Sequence, residues 1–268
     1  MEKLANDLRD EGAELYGFLA NFNAVDWIRP TPFKNWTAQD ILIHLTFGDW
    51  LNILSISDPD RFVTVMEKRR SARDTGQEIS PAEFLDRPLG HGRVLLEQWR
   101  ERLLQLCQLF NAADPRARMK WAGPDMSIRS AATARLMETW AHGQDIYDMT
   151  KTVRIPTDRI RHIAFLGVNT FAWSFINRGI EPPAKPPLVE LTGPSGDIWR
   201  WNEESAEGEI SGKALDFCHV VTQGRNIADV GLHVVGENAR RWMAIAQCFA
   251  GPAEDPPAPG TRTVCGIN

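Results

Sequence analysis

The sequence predicts a mainly α protein, an up-down helical bundle of about 180 residues followed by a small α/β domain. Three observations support this fold class. Up to about residue 180, apolar side chains recur at spacings of three, four and seven, the periodicity of one helical face. After that point, short runs of alternating polarity are separated by glycines and prolines, as in strands and turns. Residues 181–187 contain four prolines and predict a stiff linker between the two parts.

The bundle, expected to span residues 1–180, contains five predicted helices, and capping residues mark the starts of the second to the fifth. Thr37 with Asp40 three residues later is a near capping box. Ser80 with Glu83 is a better box, and Pro81 stands at the first helical position, so a long helix is expected there unless Pro88 breaks it. The polar segment between the second and third helices is expected to cover the surface. The helices span about residues 4–22, 37–56, 80–110, 127–149 and 157–177.

The α/β domain is expected to span residues 187–250 and to begin with a β-hairpin. Two short alternating runs, 188–192 and 197–201, flank the turn residues 193–196. The other expected elements are a strand at 207–212, a helix at 213–223, a strand or helix start at 228–233 and a closing helix at 237–249. Residues 251–268 form a tail rich in proline and glycine, which is expected to lie flat or to be disordered.

Composition and charge exclude several classes of protein. The chain has 268 residues, of which 43% are hydrophobic and 24% charged, as in ordinary folded domains. A formal net charge of −5 argues against nucleic acid and anionic membranes as partners. No apolar run approaches the roughly 20 residues of a membrane span, and the charged N-terminus lacks the core of a signal peptide. The four cysteines are widely spaced, which indicates a reducing, cytoplasmic setting.

Two residues on the predicted fourth helix have a spacing that suits a metal ion. Glu138 and His142 are four residues apart and therefore share a helical face. A carboxylate and an imidazole in this arrangement can bind one divalent metal, as paired ligands do in helical bundles. His44, in the otherwise apolar run 41–45, is the best candidate for a third ligand from another helix. The alternatives are a hydrogen-bonded core histidine at His44 and a solvated helix contact between Glu138 and His142.

The run Trp36-Thr-Ala-Gln-Asp-Ile-Leu-Ile-His44-Leu, followed by Glu138-Thr-Trp-Ala-His142, resembles the DinB-like metal-binding helical bundles. Within that superfamily the sequence is most similar to the mycothiol-dependent maleylpyruvate isomerases. The resemblance implies a divalent metal held by His44, Glu138 and His142, with zinc as the first choice and nickel, iron or manganese as alternatives. It also implies that the small second domain is similar to the sterol carrier proteins.

The same resemblance implies roles for Arg225 and for a thiol. The run Thr222-Gln-Gly-Arg225, followed by Val235-Gly-Glu237, is similar to the Gly-Arg turn and the Gly-Asp helix start of the isomerase group, with Glu237 replacing the usual aspartate. The arginine of that turn is implicated in activity in the group, which makes Arg225 a candidate catalytic residue. Otherwise Arg225 is a turn residue that binds backbone carbonyls. The resemblance also implies a low-molecular-weight thiol as cosubstrate.

Arg135 is a second candidate catalytic residue, because it lies three residues before Glu138. It would either orient that carboxylate or bind an anionic substrate, and the alternative is an exposed ion pair on the helix surface. Three carboxylates are candidates to accept a hydrogen bond from a ligand imidazole, or else are ordinary solvated groups: Asp49, Asp145 and Asp148. Trp36 and Trp140 lie close to the ligands in sequence, so we expect tryptophan to line the apolar surroundings of the site.

The sequence therefore predicts a metal-dependent isomerase or thiol transferase that acts on a small unsaturated or carbonyl compound by Lewis-acid activation. Two alternatives remain open. One is a thiol-independent hydratase, hydrolase or cyclase of a natural-product intermediate, and the other is a non-catalytic metal- or small-molecule-binding protein. The expected partner is a small-molecule substrate, and the chain is expected to be a monomer or a homodimer.

Overall fold

The computed structural model describes residues 1–77, 79–121, 123–204 and 207–262. It confirms the predicted fold class, because a set of long helices comes first and a small sheet with short helices follows. The chain divides into two compact units, Met1–Met149 and Thr150–Asn268. Within the described part of the chain, no helix is both long and apolar enough for a membrane span.

The first unit is a bundle of helices with one short pair of strands. The strands β1 (Arg118–Met119) and β2 (Met126–Ser127) are antiparallel. The helices are α1 (Glu2–Leu19), α2 (Ala24–Ile28), α3 (Ala38–Ser57), α4 (Pro59–Asp74), α5 (Arg93–Ala112) and α6 (Ile128–Thr150).

The start of α3 confirms the capping box that the sequence predicts. The Thr37 hydroxyl oxygen accepts from the backbone N–H of Asp40 at 3.2 Å, and the Asp40 carboxylate accepts from the backbone N–H of Thr37 at 2.9 Å. These contacts satisfy two backbone donors that a helix start otherwise leaves without partners. The helix that carries His44 therefore begins at a position that its own sequence determines.

The third long helix begins later than predicted. Ser80 and Glu83 do form a capping box, but it opens only a single 3-10 turn. The chain then leaves the helical conformation, and the side chain of Gln98 in α5 binds the backbone there. This side chain accepts from the N–H of Gly90 and donates to the carbonyl of Pro88. These contacts stabilise a loop at Pro88 and Gly90, the positions at which a break of the helix was considered, and α5 begins at Arg93.

The segment that was expected to cover the surface is mostly exposed, and it also contains a helix, α4, that was not predicted. Asp58 accepts from the backbone N–H of Arg61 at 3.1 Å, and Pro59 occupies the first turn. The helix buries Phe62 and Val65 in a cluster with side chains from α3. An N-cap aspartate followed by proline was the available signal, but the run of charged residues after it obscured the two buried positions.

Helices α3 and α6 are antiparallel, and this relation places the candidate ligands together. His44 of α3 faces Glu138 of α6, while Asp49, further along α3, faces Arg135, further back on α6. In contrast, α3 and α5 run in the same direction. The return of the chain between them is made through α4 and the loop that follows it.

The second unit contains a four-stranded sheet. Its strands are β3 (Leu188–Thr192), β4 (Ile198–Trp201), β5 (Glu209–Lys213) and β6 (His233–Val235). The sheet order is β4-β3-β5-β6. The predicted hairpin is confirmed, because β3 and β4 pair antiparallel, whereas β3 and β5 pair parallel. The helices of this unit are α7 (Arg161–Asn169), α8 (Phe171–Ile176), α9 (Ala214–Val221) and α10 (Glu237–Met243).

The helical segment before the proline-rich linker packs within the second unit. A Cβ atom on Gly167 of α7 would lie only 2.9 Å from Val221 of α9, so the two helices approach closely at this glycine. Phe171 of α8 stacks edge-on against Trp242 of α10 with ring centroids 5.1 Å apart. The linker at 181–187 therefore lies inside the second compact unit, and the compact units divide before Thr150.

The segment rich in proline and glycine is attached to the second unit as far as it is described. The Gln223 side chain donates to the carbonyl of Glu254 at 2.7 Å, and the Asn226 side chain donates to the carbonyl of Pro257 at 2.8 Å. The backbone N–H of Gly260 donates to Asp229. Backbone carbonyls that prolines leave without regular partners thus bind side-chain amides of the folded unit. Residues 263–268 of the expected tail lie outside the described residues.

Candidate metal centre

The three candidate ligands lie together in the bundle. His44 Nε2 is 3.0 Å from Glu138 Oε2, and His142 Nε2 is 3.5 Å from the same oxygen. One donor atom from each of the three residues lies within 4.8 Å of the other two. His44 comes from α3, while Glu138 and His142 lie one turn apart on the facing side of α6. The sequence spacing and the antiparallel helix pair thus bring the three side chains to one point.

The distances between these donor atoms suit a small divalent ion. Nitrogen and oxygen ligands at about 2.0–2.1 Å from a tetrahedral zinc ion lie about 3.3 Å from one another. The separations of His44 Nε2 and His142 Nε2 from Glu138 Oε2, 3.0 Å and 3.5 Å, bracket this value. The side chains of His44 and Glu138 remain 38% and 25% exposed, so the site has an open side. Three protein donors with an open side are typical of catalytic rather than closed structural zinc sites.

Asp145 forms a hydrogen bond with Nδ1, at the edge of the His142 ring. Its carboxylate accepts from His142 Nδ1 at 3.2 Å, which leaves Nε2 directed toward Glu138 and His44. A carboxylate in this position fixes the tautomer of a ligand histidine. The other two sequence candidates have different partners: Asp49 binds Arg135, and Asp148 accepts from Gln144. Local sequence could not separate the three carboxylates, because each follows a candidate ligand by only a few residues.

The charges of the site are coupled through Glu138. Burial raises the pKa of the Glu138 carboxyl, but hydrogen bonds from His142 and His44 outweigh it and hold that pKa well below its ordinary value. Burial likewise lowers the pKa of His142, and its hydrogen bonds with Asp145 and Glu138 overcome this and raise the pKa to about 9. For His44, removal from water lowers the pKa by more than the hydrogen bond with Glu138 raises it, so the pKa lies below its ordinary value. Near neutral pH the metal-free site therefore holds a carboxylate, one imidazolium and one neutral imidazole.

This charge state predicts a proton release on metal binding. Because the pKa of His142 is about 9 without metal, zinc must displace its proton near neutral pH. We expect about one proton to be released per zinc ion. The apparent zinc affinity is then expected to increase with pH, by up to about tenfold per pH unit, and to become constant above the pKa of His142. Calorimetric titration in two buffers of different ionisation enthalpy measures the release. Binding heats that are the same in both buffers would contradict the assignment.

A short turn before α3 places two aromatic rings against the two candidate ligand histidines. The Phe33 ring lies 5.1 Å from the His142 ring, centre to centre. The Trp36 ring lies 5.4 Å from His44 and 5.8 Å from His142, and it is nearly parallel to the latter at 18°. The expectation for Trp36 thus agrees with its position, whereas Trp140 is buried in the bundle with 2% exposure. Phe33 was not found from the sequence, since no helical periodicity marks it.

Arg135 is buried and makes an ion pair, so it is not the exposed surface residue considered as an alternative. Its Nε donates to Asp49 at 3.0 Å, and one terminal nitrogen donates to the carbonyl of Leu45 at 3.3 Å. The side chains of Arg135 and Asp49 are 4% and 0% exposed. Gly48 makes room for the guanidinium, because a Cβ there would lie 2.6 Å from it. Arg135 thus joins α6 to α3 about one turn from the candidate ligands.

Arg225 lies in the second unit, and its side chain is fully buried. One terminal nitrogen donates to the carbonyl of Gly224 at 2.7 Å, which is the kind of backbone contact considered as its alternative role. Burial and the positive charge of Arg225 together hold the pKa of nearby His219 well below its ordinary value. Helix α10 begins at Glu237 after Gly236, as the motif implied. The catalytic role of Arg225 stays a prediction from the resemblance.

Comparison with known families matches the first unit. The family model described as the mycothiol maleylpyruvate isomerase N-terminal domain matches residues 8–147. Two uncharacterized proteins of Mycobacterium tuberculosis, from strains CDC 1551 / Oshkosh and ATCC 25618 / H37Rv, are each 40% identical to this chain over 251 residues. Each alignment covers 92% of this chain and 95% of the relative.

Two solved structures share the fold. The crystal structure of the mycothiol-dependent maleylpyruvate isomerase has a TM-score of 0.50 at 13% identity and covers 87% of this chain and 91% of its own. A histidine-to-alanine mutant of that isomerase has the same TM-score and identity and covers 82% of this chain and 87% of its own. At this identity the likeness concerns the fold alone.

Proposed function

The chain belongs to the mycothiol maleylpyruvate isomerase N-terminal domain family, and from this premise we propose that it is a metal-dependent enzyme of small unsaturated or carbonyl compounds. The reaction proposed is isomerisation or thiol addition with a low-molecular-weight thiol as cosubstrate. One observation carries the proposal: three donor atoms of His44, Glu138 and His142 lie within 4.8 Å of one another on an open side of the bundle. An accessible coordination position favours catalysis over a structural or storage role.

Each residue of the site has a separate role in the proposed function. His44, Glu138 and His142 hold the metal, with zinc as the first choice for a donor set of two imidazoles and one carboxylate and nickel, iron or manganese as alternatives. Asp145 keeps the proton of His142 on Nδ1, so that Nε2 stays available as a ligand. When bound, the metal would act as a Lewis acid that polarises a carbonyl group or lowers the pKa of a thiol. We propose a positioning role for Arg135, because two of its nitrogens donate to groups within the bundle.

The cysteines of the chain support an external thiol. Burial raises the pKa of Cys107 to about 12. Burial also raises the pKa of Cys218 well above its ordinary value, and Cys248 is buried. A thiol attacks as the thiolate, so Cys107 and Cys218 are poor nucleophiles near neutral pH, and burial keeps Cys248 from a substrate. Cys265 lies outside the described residues.

In the proposed cycle the thiolate is regenerated. It adds to the β-carbon of a conjugated carbonyl compound, which forms a C–S bond and moves the electron pair of the double bond toward the carbonyl oxygen. Rotation about the resulting single bond follows, and the C–S bond then breaks to expel the thiolate. Atoms and electrons balance without an oxidant or reductant.

A turnover assay tests the thiol dependence. Zinc-loaded protein is given maleylpyruvate as the probe enone, with mycothiol, with glutathione or with no thiol. We expect conversion only when a thiol is present, and we expect it to stop when a chelator removes the metal. Metal-dependent conversion of a probe at the same rate without thiol would favour the thiol-independent hydratase, hydrolase or cyclase. Activity of metal-free, folded protein would contradict the metalloenzyme proposal.

A further inference from the structure

The turn that carries Phe33 and Trp36 has an unusual backbone. The backbone N–H of Trp36 donates to the carbonyl of Phe33 at 2.8 Å, and the two residues between them have φ of +49° (Lys34) and +56° (Asn35). Two left-handed residues in succession suit glycine and asparagine, and lysine adopts this conformation with strain. Such strain persists only where the surroundings hold it, and it is concentrated at functional sites.

The turn is held in place at both ends. The backbone N–H of Thr31 donates to the carbonyl of Trp36 at 2.7 Å, and a β-bridge joins Pro30 to Thr37. Thr37 is also the N-cap of α3. The positions of Phe33 and Trp36 are therefore coupled directly to the helix that carries His44. The two rings lie 5.3 Å apart and nearly perpendicular, at 89°.

Both rings are only partly buried and lie beside the open side of the metal centre. Phe33, Trp36 and His44 all keep partial exposure, whereas His142 is buried beneath them at 8% exposure. The Lys34 ammonium lies 5.2 Å from the Phe33 ring centroid. Partly exposed aromatic rings next to convergent polar groups are typical of sites that stack a flat ligand. A role limited to the protein core would not require the rings to remain accessible.

We propose that Phe33 and Trp36 form a stacking subsite that selects flat, conjugated carboxylates or carbonyl compounds over flexible saturated ones of the same length. The inference rests on the proposed function only in placing the substrate at the metal centre. A planar π system gains contact with the indole and phenyl faces, and it loses little conformational entropy because it is already rigid. A saturated chain of equal length gains less contact and loses rotational freedom about its single bonds.

A matched pair of probes tests the subsite. Sorbate and hexanoate each have six carbons and one carboxylate, and only sorbate is conjugated and flat. Binding of both to the zinc-loaded protein is measured by calorimetry, with zinc content determined in parallel. We expect wild type to bind sorbate about three- to tenfold more tightly than hexanoate. Trp36→Leu and Phe33→Leu are each expected to bring this ratio toward one while hexanoate affinity and zinc content stay the same.

Two further variants keep the test decisive. Lys34→Gly keeps both rings, relieves the left-handed strain and removes the ammonium that lies 5.2 Å from the Phe33 ring centroid, so it is expected to keep a preference for sorbate at least as large as that of wild type. Trp36→Phe keeps a smaller ring and is expected to give a sorbate-to-hexanoate affinity ratio between those of wild type and Trp36→Leu. This variant tests the role of the Trp36 ring if Trp36→Leu loses zinc. An unchanged ratio in the leucine variants, or a wild type that binds sorbate no better than hexanoate, would overturn the proposal. Because the ratio needs no turnover, a missing thiol effect counts only against the proposed reaction.

Discussion

Replacement of Arg135 by methionine is expected to lower the free energy of unfolding by about 3–5 kcal/mol, the usual cost of leaving a buried charge without its partner. The Asp49 carboxylate is completely buried, and its ion pair with Arg135 joins α3 to α6. Methionine keeps the apolar volume but removes every donor. Urea denaturation followed by circular dichroism near neutral pH measures the loss.

The reference for this prediction is an exposed ion pair. Lys120 and Asp125 lie 3.0 Å apart with side chains 49% and 42% exposed, so Lys120→Met is expected to cost less than about 1 kcal/mol. The double variant Arg135→Met/Asp49→Leu should recover most of the loss, because it removes the buried charge itself. A cost for Arg135→Met that is no larger than that of Lys120→Met would show that the buried pair is not a structural link.

The pH dependence of the Arg135 variant follows from the same carboxylate. Burial already raises the pKa of Asp49 in the presence of Arg135. Without the guanidinium that pKa rises further above its value in the unfolded chain. The folded variant therefore gains stability, relative to wild type, as pH falls and the carboxyl takes up a proton. We expect the difference between wild type and Arg135→Met to shrink from neutral toward acidic pH, as denaturation at several pH values would reveal.

His142→Ala is expected to abolish stoichiometric zinc binding while the helical circular dichroism signal stays near that of wild type. The substitution removes one of three donors, and loss of a ligand is expected to weaken binding by more than about 100-fold, since loss of an outer partner alone costs 10–100-fold. Elemental analysis should find about one zinc per wild-type chain and almost none in the variant. Alanine is a good helix former, so α6 remains intact.

A second histidine provides the matched control for His142. His91 is exposed and lies in the loop before α5, where its Nδ1 contacts the Gln39 side chain. His91→Ala is expected to keep one zinc per chain. If His142→Ala also kept one zinc, or if both variants lost it, the assignment of His142 as a ligand would be wrong.

The link between the two predictions lies in the geometry of α3 and α6. The candidate ligands and the Arg135–Asp49 pair occupy neighbouring turns of the same two helices. Without metal, electrostatic repulsion among the three candidate ligands is small, because the Glu138 carboxylate lies between one charged and one neutral imidazole. The His44–Glu138 contact and the Arg135–Asp49 pair both connect α3 to α6, and the Arg135–Asp49 pair is the more buried of the two. This link is consistent with the positioning role proposed for Arg135.

Much of the fold was determined by the sequence through short-range signals. The capping box at Thr37, the periodicity of α3 and the hairpin of β3 and β4 each depend on residues within a few turns of one another, so one stretch of chain is sufficient to predict them. The spacing of Glu138 and His142 is equally local. The third candidate, His44, lies ninety-four residues from Glu138. Its position in an apolar run made it the best candidate, and the family resemblance supported the link.

Only the tertiary structure decided which partner each apolar or charged group takes. The apolar face of α7 indicates that it packs, but the close approach at Gly167 determines that it packs on α9. Asp49, Asp145 and Asp148 look alike in sequence, and the facing helix assigns one to Arg135 while local geometry assigns another to His142. Phe33 reaches the site through a turn whose strain no periodicity records. Periodicity and capping are set by neighbours along the chain, whereas partner choice is set by close packing between segments far apart in sequence.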